Sequence, residues 1–211
     1  MQLTKHVHSC VRLDDGERSL VIDPGGFSDL DSALDGASAV LITHEHTDHL
    51  DHDRVVAAAQ ADPRLRIWAP AAVAATLLEL GDQVVTVGVD ESFEAAGFAV
   101  QTFGGQHALI HPLIPIVANV GYLIDGTVFH PGDSFVVPPA PVNTLLLPAN
   151  APWSKISEII DYAIAVRAPF SYPIHDFMVG EAYGTILRRN LVPIVERFGV
   201  DFRGWDEPVT A

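Results

Sequence analysis

Short apolar runs rich in branched side chains recur along the chain, separated by Gly, Pro, Asp and Asn. Ser19 to Ile22, Ala39 to Thr43, Arg66 to Ala69, Val84 to Val87, Phe98 to Phe103, Val120 to Ile124, Thr127 to His130 and Thr144 to Leu147 have the length and composition of strands. Between them, His52 to Ala61, Ala71 to Leu80, Lys155 to Val166 and Glu181 to Phe198 have helical composition, with Pro193 expected to interrupt the last. This pattern predicts a mixed α/β (α+β) class. Asp14-Asp15-Gly16 and Asp125-Gly126 are turn signals between apolar runs, so the early strands are expected to be antiparallel and Asp125-Gly126 to close a hairpin that brings Asp133 to a strand end. No internal repeat, low-complexity tract or Pro/Gly/Ser linker divides the chain, which predicts one domain over residues 1–211.

Composition narrows the partners. The 211 residues are 48% hydrophobic with a mean hydropathy of +0.24, enough for a sizeable core. Twelve Lys and Arg against 27 Asp and Glu give a formal charge of −15, which opposes contact with phosphate backbones and anionic lipid over most of the surface. A small-molecule substrate is expected instead, with no membrane partner and long nucleic acid disfavoured. Cys10 is the single cysteine, so neither a disulfide framework nor a cysteine zinc site can form. The start of the sequence lacks a signal-peptide pattern and no apolar run approaches bilayer length, so a cytoplasmic location is expected.

Ten histidines stand out against two methionines and one cysteine, and their positions carry the chemistry. Directly after the apolar run 39–43 comes His44-Glu45-His46-Thr47-Asp48-His49, with three imidazoles and two carboxylates in six residues. Side chains two apart on extended backbone share a face, so His44 and His46 can grip one ion while the following turn carries Asp48 and His49 toward another. Such a cluster needs further ligands, and His107, Asp133 and His175 supply them downstream in strand-end contexts.

This order resembles the metallo-β-lactamase-fold hydrolase superfamily, whose signature is an H-x-H-x-D-H loop followed by a histidine, an aspartate and a final histidine. Ser19 to Gly25, with Asp23 ahead of the metal loop, resembles the early strand and turn of that family. The opening segment Val7-His8-Ser9-Cys10 is similar to the G-H-S/A-C strand of the branch containing ascorbate-phosphate lactonase, with Val7 in the place of the glycine. The resemblance implies a four-layer αββα sandwich. It also implies a two-metal site: His44, His46 and His107 on one ion, Asp48, His49 and His175 on the other, and Asp133 bridging. Asp48, His49 and Asp133 are then the catalytic bets, working through metal-bound hydroxide. All-N/O ligation suits Zn²⁺ and tolerates Mn²⁺ or Fe²⁺.

The implied activity is hydrolysis of a small lactone, ester or phosphodiester. A diiron redox or persulfide-type protein and an RNA-processing nuclease are the alternatives the same fold offers. Outside the ligand set, His8 is either a donor near the cleft or a backbone-satisfied histidine, and Cys10 a buried hydrophobe. His52 is expected at the surface, His130 at the core or beside the site, and Glu45 pointing away from the ions. Asp176 is expected to orient His175 or accept a backbone hydrogen bond. His111 lies in an apolar loop expected to hang over the cleft or to pack onto the sheet; in the first case Leu113 to Val117 would form a cleft wall or a contact between two copies and His111 would donate to a substrate oxyanion. The acidic runs 28–31 and 201–207 are expected to be solvated.

Overall fold

Several of the strands are apolar at every position, which demands cover on both faces. In the computed structural model, which describes residues 1–205 and 208–211, two seven-stranded sheets supply that cover by stacking on each other and on helices. The first sheet contains β1 (Gln2–Lys5), β2 (Val11–Asp15), β3 (Arg18–Ile22), β4 (Ala39–Leu41), β5 (Arg66–Ala69) and β6 (Val84–Thr86). The second contains β7 (Ser92–Ala95), β8 (Phe98–Gly104), β9 (Val120–Ile124), β10 (Val128–His130), β11 (Thr144–Pro148), β12 (Phe170–Ile174) and β13 (Asp201–Phe202). β14 (Val209–Thr210) returns to pair with β1 at the edge of the first sheet.

Strand alternation sorts the side chains into three layers. Leu20 and Ile22 of β3, Leu41 of β4, Tyr122 and Ile124 of β9 and Leu146 of β11 point between the sheets. Val21, Val40 and Ile67 point the other way, onto α1 (Leu30–Leu34), α2 (His52–Ala61) and the short α3 (Ala71–Ala74). Leu123, Phe129, Leu145 and Leu147 meet α4 (Ile156–Val166) and α5 (Glu181–Val195) on the far side of the second sheet. The result is the four-layer αββα sandwich of the metallo-β-lactamase fold. Among the described residues, no helix is long and apolar enough to cross a membrane.

The hairpin expected at Asp125-Gly126 forms, with φ of 48° and 62°, the left-handed pair that a tight two-residue turn requires. The expectation of antiparallel early strands holds for β1 to β3 only, because β3 to β6 run parallel through helical crossovers. Six strands have no counterpart in the expected set. β1, β2 and β7 carry polar residues at alternate positions, β13 and β14 are two residues long, and β12 contains Pro173.

The helix expected over 71–80 stops at Ala74. The Thr76 hydroxyl and amide both bond the Val73 carbonyl, at 2.8 and 2.9 Å, tightening the turn before a 3₁₀ segment over Leu78–Gln83. Pro193 does not interrupt α5. Pro193 and Arg189, whose carbonyl loses its amide partner to the proline, both lie on the exposed face, and a 3₁₀ turn over Glu196–Phe198 follows.

Candidate metal centre

β1, β3 and β4 run in one direction within the first sheet, as do β8, β10 and β12 within the second. His8, Asp23, the His44–His49 loop, His107, Asp133 and His175 each follow the C-terminal end of one of these six strands. Strand direction therefore collects residues spread over more than 160 positions into one cluster. The side-chain atoms able to ligate a metal fall into two groups, each within 4.8 Å internally: His44, His46, His107 and Asp133, and His8, Asp48, His49 and His175.

The protons on these rings can be assigned from their outer partners, because carbonyls and carboxylates only accept. Nδ1 of His107 donates to the Ala108 carbonyl at 2.6 Å, and Nδ1 of His175 to the Asn150 carbonyl at 2.6 Å. Nδ1 of His49 donates to Asp23 at 2.7 Å. Thr43 Oγ1 commits its own proton to Asp23, so it accepts from Nδ1 of His44 at 3.0 Å. Every one of these four rings therefore turns an Nε2 lone pair inward. Nε2 of His44 faces Nδ1 of His46 at 3.0 Å.

Asp133 sits between the two groups. Its Oδ1 is 3.1 Å from Nε2 of His49, and its Oδ2 is 3.2 Å from Nε2 of His107 and 3.1 Å from that of His175. Nε2 of His49, His107 and His175 and Oδ1 of Asp133 are buried without a hydrogen-bond partner. Converging buried acceptors with no donor among them are costly unless a cation lies at their focus.

The electrostatics agree. Burial opposes ionisation of Asp133 and Asp48, yet His49, His107 and His175 beside Asp133, and His175 and His8 beside Asp48, hold both carboxyls well below their usual range. Burial would keep His175 neutral, but the neighbouring carboxylates of Asp133 and Asp48 raise it to about 9. Burial is likewise overridden at His49, which Asp133 and Asp23 push up. The carboxylates demand positive charge in a dry cluster. Protonated imidazoles or divalent cations can supply it, and the inward lone pairs suit the cations.

The supports of the cluster went largely unread in the sequence. Asp23 is fully buried and accepts from the Thr43 amide and hydroxyl, both at 2.7 Å, as well as from His49. Trp153 donates its indole N–H to Asp133 Oδ2 at 2.9 Å, and Asn119 accepts the Asp133 amide at 2.9 Å. A carboxylate between a strand and Pro-Gly is the one signal that marks Asp23; nothing in the sequence marks Trp153 or Asn119.

The remaining sequence candidates separate clearly. His130 is buried, with Nε2 donating to the Ser9 carbonyl at 2.9 Å and Nδ1 accepting from Gly132, so both nitrogens are occupied by backbone. His52 bonds the Thr76 carbonyl away from the cluster, and Glu45 is exposed. Asp176 pairs with Lys5, in place of either expected role. Cys10 is fully buried and burial pushes its thiol up, as fits a packed hydrophobe. His111 is exposed, and Leu109, Leu113, Ile114 and Ile116 of its loop project into solvent without packing onto the sheet. In the acidic runs, Asp29 and Asp31 are exposed and Asp201 pairs with Arg203; Asp206 and Glu207 lie outside the described residues.

Val7 adopts φ of 70°, a conformation that a β-branched residue tolerates poorly and glycine readily. Val7→Gly is expected to remove about 1 kcal/mol of strain and to raise the thermal midpoint slightly despite the added chain entropy. A lower midpoint in a melting experiment would contradict that reading.

Comparison with known proteins agrees with this architecture. The family described as beta-lactamase superfamily domain matches residues 2–175. Protein Rv0786c of Mycobacterium tuberculosis is 40% identical over 184 residues, covering 85% of each chain. A UPF0173 protein of Pyrococcus furiosus is 27% identical over 188 residues, covering 83% of each. Igni18, a metallo hydrolase of the archaeon Ignicoccus hospitalis, superposes with a TM-score of 0.74 at 17% identity, over 99% of this chain and 97% of its own.

Proposed function

The chain belongs to the beta-lactamase superfamily domain family, and on that premise we propose that it is a metal-dependent hydrolase acting on a small lactone, ester or phosphodiester. His44, His46 and His107 would hold one cation and Asp48, His49 and His175 the other, with Asp133 shared between them. The observation that carries this reading is the set of inward Nε2 lone pairs, each fixed by a proton given outward to a carbonyl, hydroxyl or carboxylate. Two divalent cations, when bound, supply a water of lowered pKa and a seat for developing negative charge. Zn²⁺ suits imidazole and carboxylate ligands in this number, with Mn²⁺ and Fe²⁺ as substitutes.

The chain's own residues do the rest. Asp133, Asp48 and His49 hold their places through Trp153, His8 and Asp23. Beside Trp153 a cleft of about 480 Å³, lined by Leu109, Ile110, Phe135 and Pro152 among others, offers an apolar wall to the body of a small substrate. The net charge of −15 opposes a long polyanion there, while a cation pair still accepts one localised anion. Lactones, esters, phosphodiesters, thioesters and labelled RNA, assayed before and after chelation, test this. Turnover of a small substrate that disappears with chelator and returns with Zn²⁺ or Mn²⁺ is expected. RNA cleavage without small-molecule turnover would contradict it, as would hydrolysis indifferent to chelation.

A further inference from the structure

His8 shares the second ligand group with Asp48, His49 and His175, yet its ring is wired in the opposite sense. The Phe177 amide donates to Nδ1 of His8 at 3.4 Å. A neutral imidazole that accepts at Nδ1 carries its proton at Nε2. Nε2 of His8 points inward, 3.1 Å from Asp48 Oδ2. The rings of His49 and His175 aim lone pairs at the centre, whereas His8 aims an N–H at a carboxylate oxygen. The same Oδ2 lies 3.4 Å from Nε2 of His175 and 3.9 Å from Nε2 of His49, so this bond sets the oxygen of Asp48 that faces the cluster.

The backbone of the same residue makes a second hold. The His8 carbonyl accepts from the His175 amide at 3.1 Å, tying the end of β12 to the turn after β1. The ring lies fully buried against His175, centroids 4.1 Å apart, and edge-on to Phe27 at 5.3 Å. Val7 and His8 both take left-handed backbone, with φ of 70° and 51°, to place ring and carbonyl this way. Strained backbone persists where surrounding contacts over-determine it, and it gathers at functional sites.

We propose that His8 is a positioning residue, not a ligand: its Nε2–H fixes the Asp48 carboxylate and its carbonyl fixes His175, so one residue sets two of the ligands of one cation. This rests on the metal-centre reading above.

The test uses the full chain with Zn²⁺ as the probe, comparing wild type, His8→Ala and His8→Gln. Chelator competition gives the affinity of each ion, and X-ray absorption gives the number of imidazoles per zinc. His8→Ala is expected to weaken one ion by about 10- to 100-fold, the usual effect of losing an outer hydrogen bond to a ligand, with the imidazole number unchanged. His8→Gln, which keeps an N–H donor of similar reach, is expected to recover most of that loss. A falling imidazole number in His8→Ala would make His8 a ligand, and unchanged affinity would remove its role; either overturns the proposal. Imidazole ¹⁵N shifts of the wild type separate this claim from the one beneath it. A proton on Nδ1 of His8 overturns the positioning role alone, whereas a wild type that takes up no zinc overturns the metal centre.

Discussion

Asp133→Ala is expected to reduce bound metal from about two ions per chain to one or none and to abolish hydrolysis. Among the described residues, Asp133 is the carboxylate that faces both groups of the cluster, with Oδ1 toward His49 and Oδ2 toward His107 and His175. Two divalent charges about 4 Å apart repel by about 17 kcal/mol at an effective dielectric of 20. The bridging carboxylate is the charge that offsets this. Asp133→Asn keeps the shape and an acceptor for Trp153 but removes the charge, so it should lose metal nearly as completely. Both variants are expected to lose some stability as well, because the histidines hold Asp133 ionised and removing one partner of a buried set leaves the others uncompensated. Elemental analysis with a melting curve on the same sample separates the outcomes. Two ions retained by Asp133→Ala would show that the bridge is not needed.

Gly25→Ala is expected to damage the site through the backbone of Asp48 and His49, without altering any side chain of the cluster. A Cβ at Gly25 would lie 1.8 Å from the Asp48 carbonyl oxygen and 2.6 Å from the His49 amide nitrogen, both backbone atoms that cannot swing aside. The turn after β3 and the metal loop are also zipped together, Gly26 N–H to the Thr47 carbonyl at 2.8 Å and Asp51 N–H to the Pro24 carbonyl at 2.9 Å. Relief of the clash must therefore separate the loop from the turn that carries Asp23. A loss of about 3 kcal/mol or more is expected, in the range of severe core overpacking, together with loss of metal. Gly184→Ala, where an added Cβ meets open space, is the control and should melt near the wild type. A Gly25→Ala protein that melts within a few degrees of wild type and holds its metal would refute the close approach.

Why the residues of the cluster could be picked out in the sequence, and their supports could not, follows from the kind of information each carries. His44 to His49 is a local cluster, and its chemistry is written in adjacent letters. His107, Asp133 and His175 are single residues, but strand ends mark them. Asp23 acts through a left-handed turn that turns its carboxylate back onto Thr43 and His49, and φ is not visible in a sequence. Trp153 reaches Asp133 from 20 positions away and depends on how the segment before α4 folds over the second sheet. The strands that went unread fail for a related reason. β12 is completely buried from Ser171 onward, and its Pro173 reads as a loop residue until the parallel pairing with β11 is seen. β2 alternates polar and apolar residues because only one of its faces is buried, which leaves a short, weak pattern. The central strands, buried on both faces, are the ones that composition makes obvious.

The central claim is that the inward lone pairs converge on two cations. Anomalous scattering from crystals grown with Zn²⁺, recorded on both sides of the zinc absorption edge, tests it directly. The account predicts two zinc peaks about 3.5 to 4 Å apart, one within reach of His44, His46 and His107, the other of Asp48, His49 and His175, with Asp133 touching both. A single peak, or zinc bound only at surface carboxylates with the cluster empty, would contradict it.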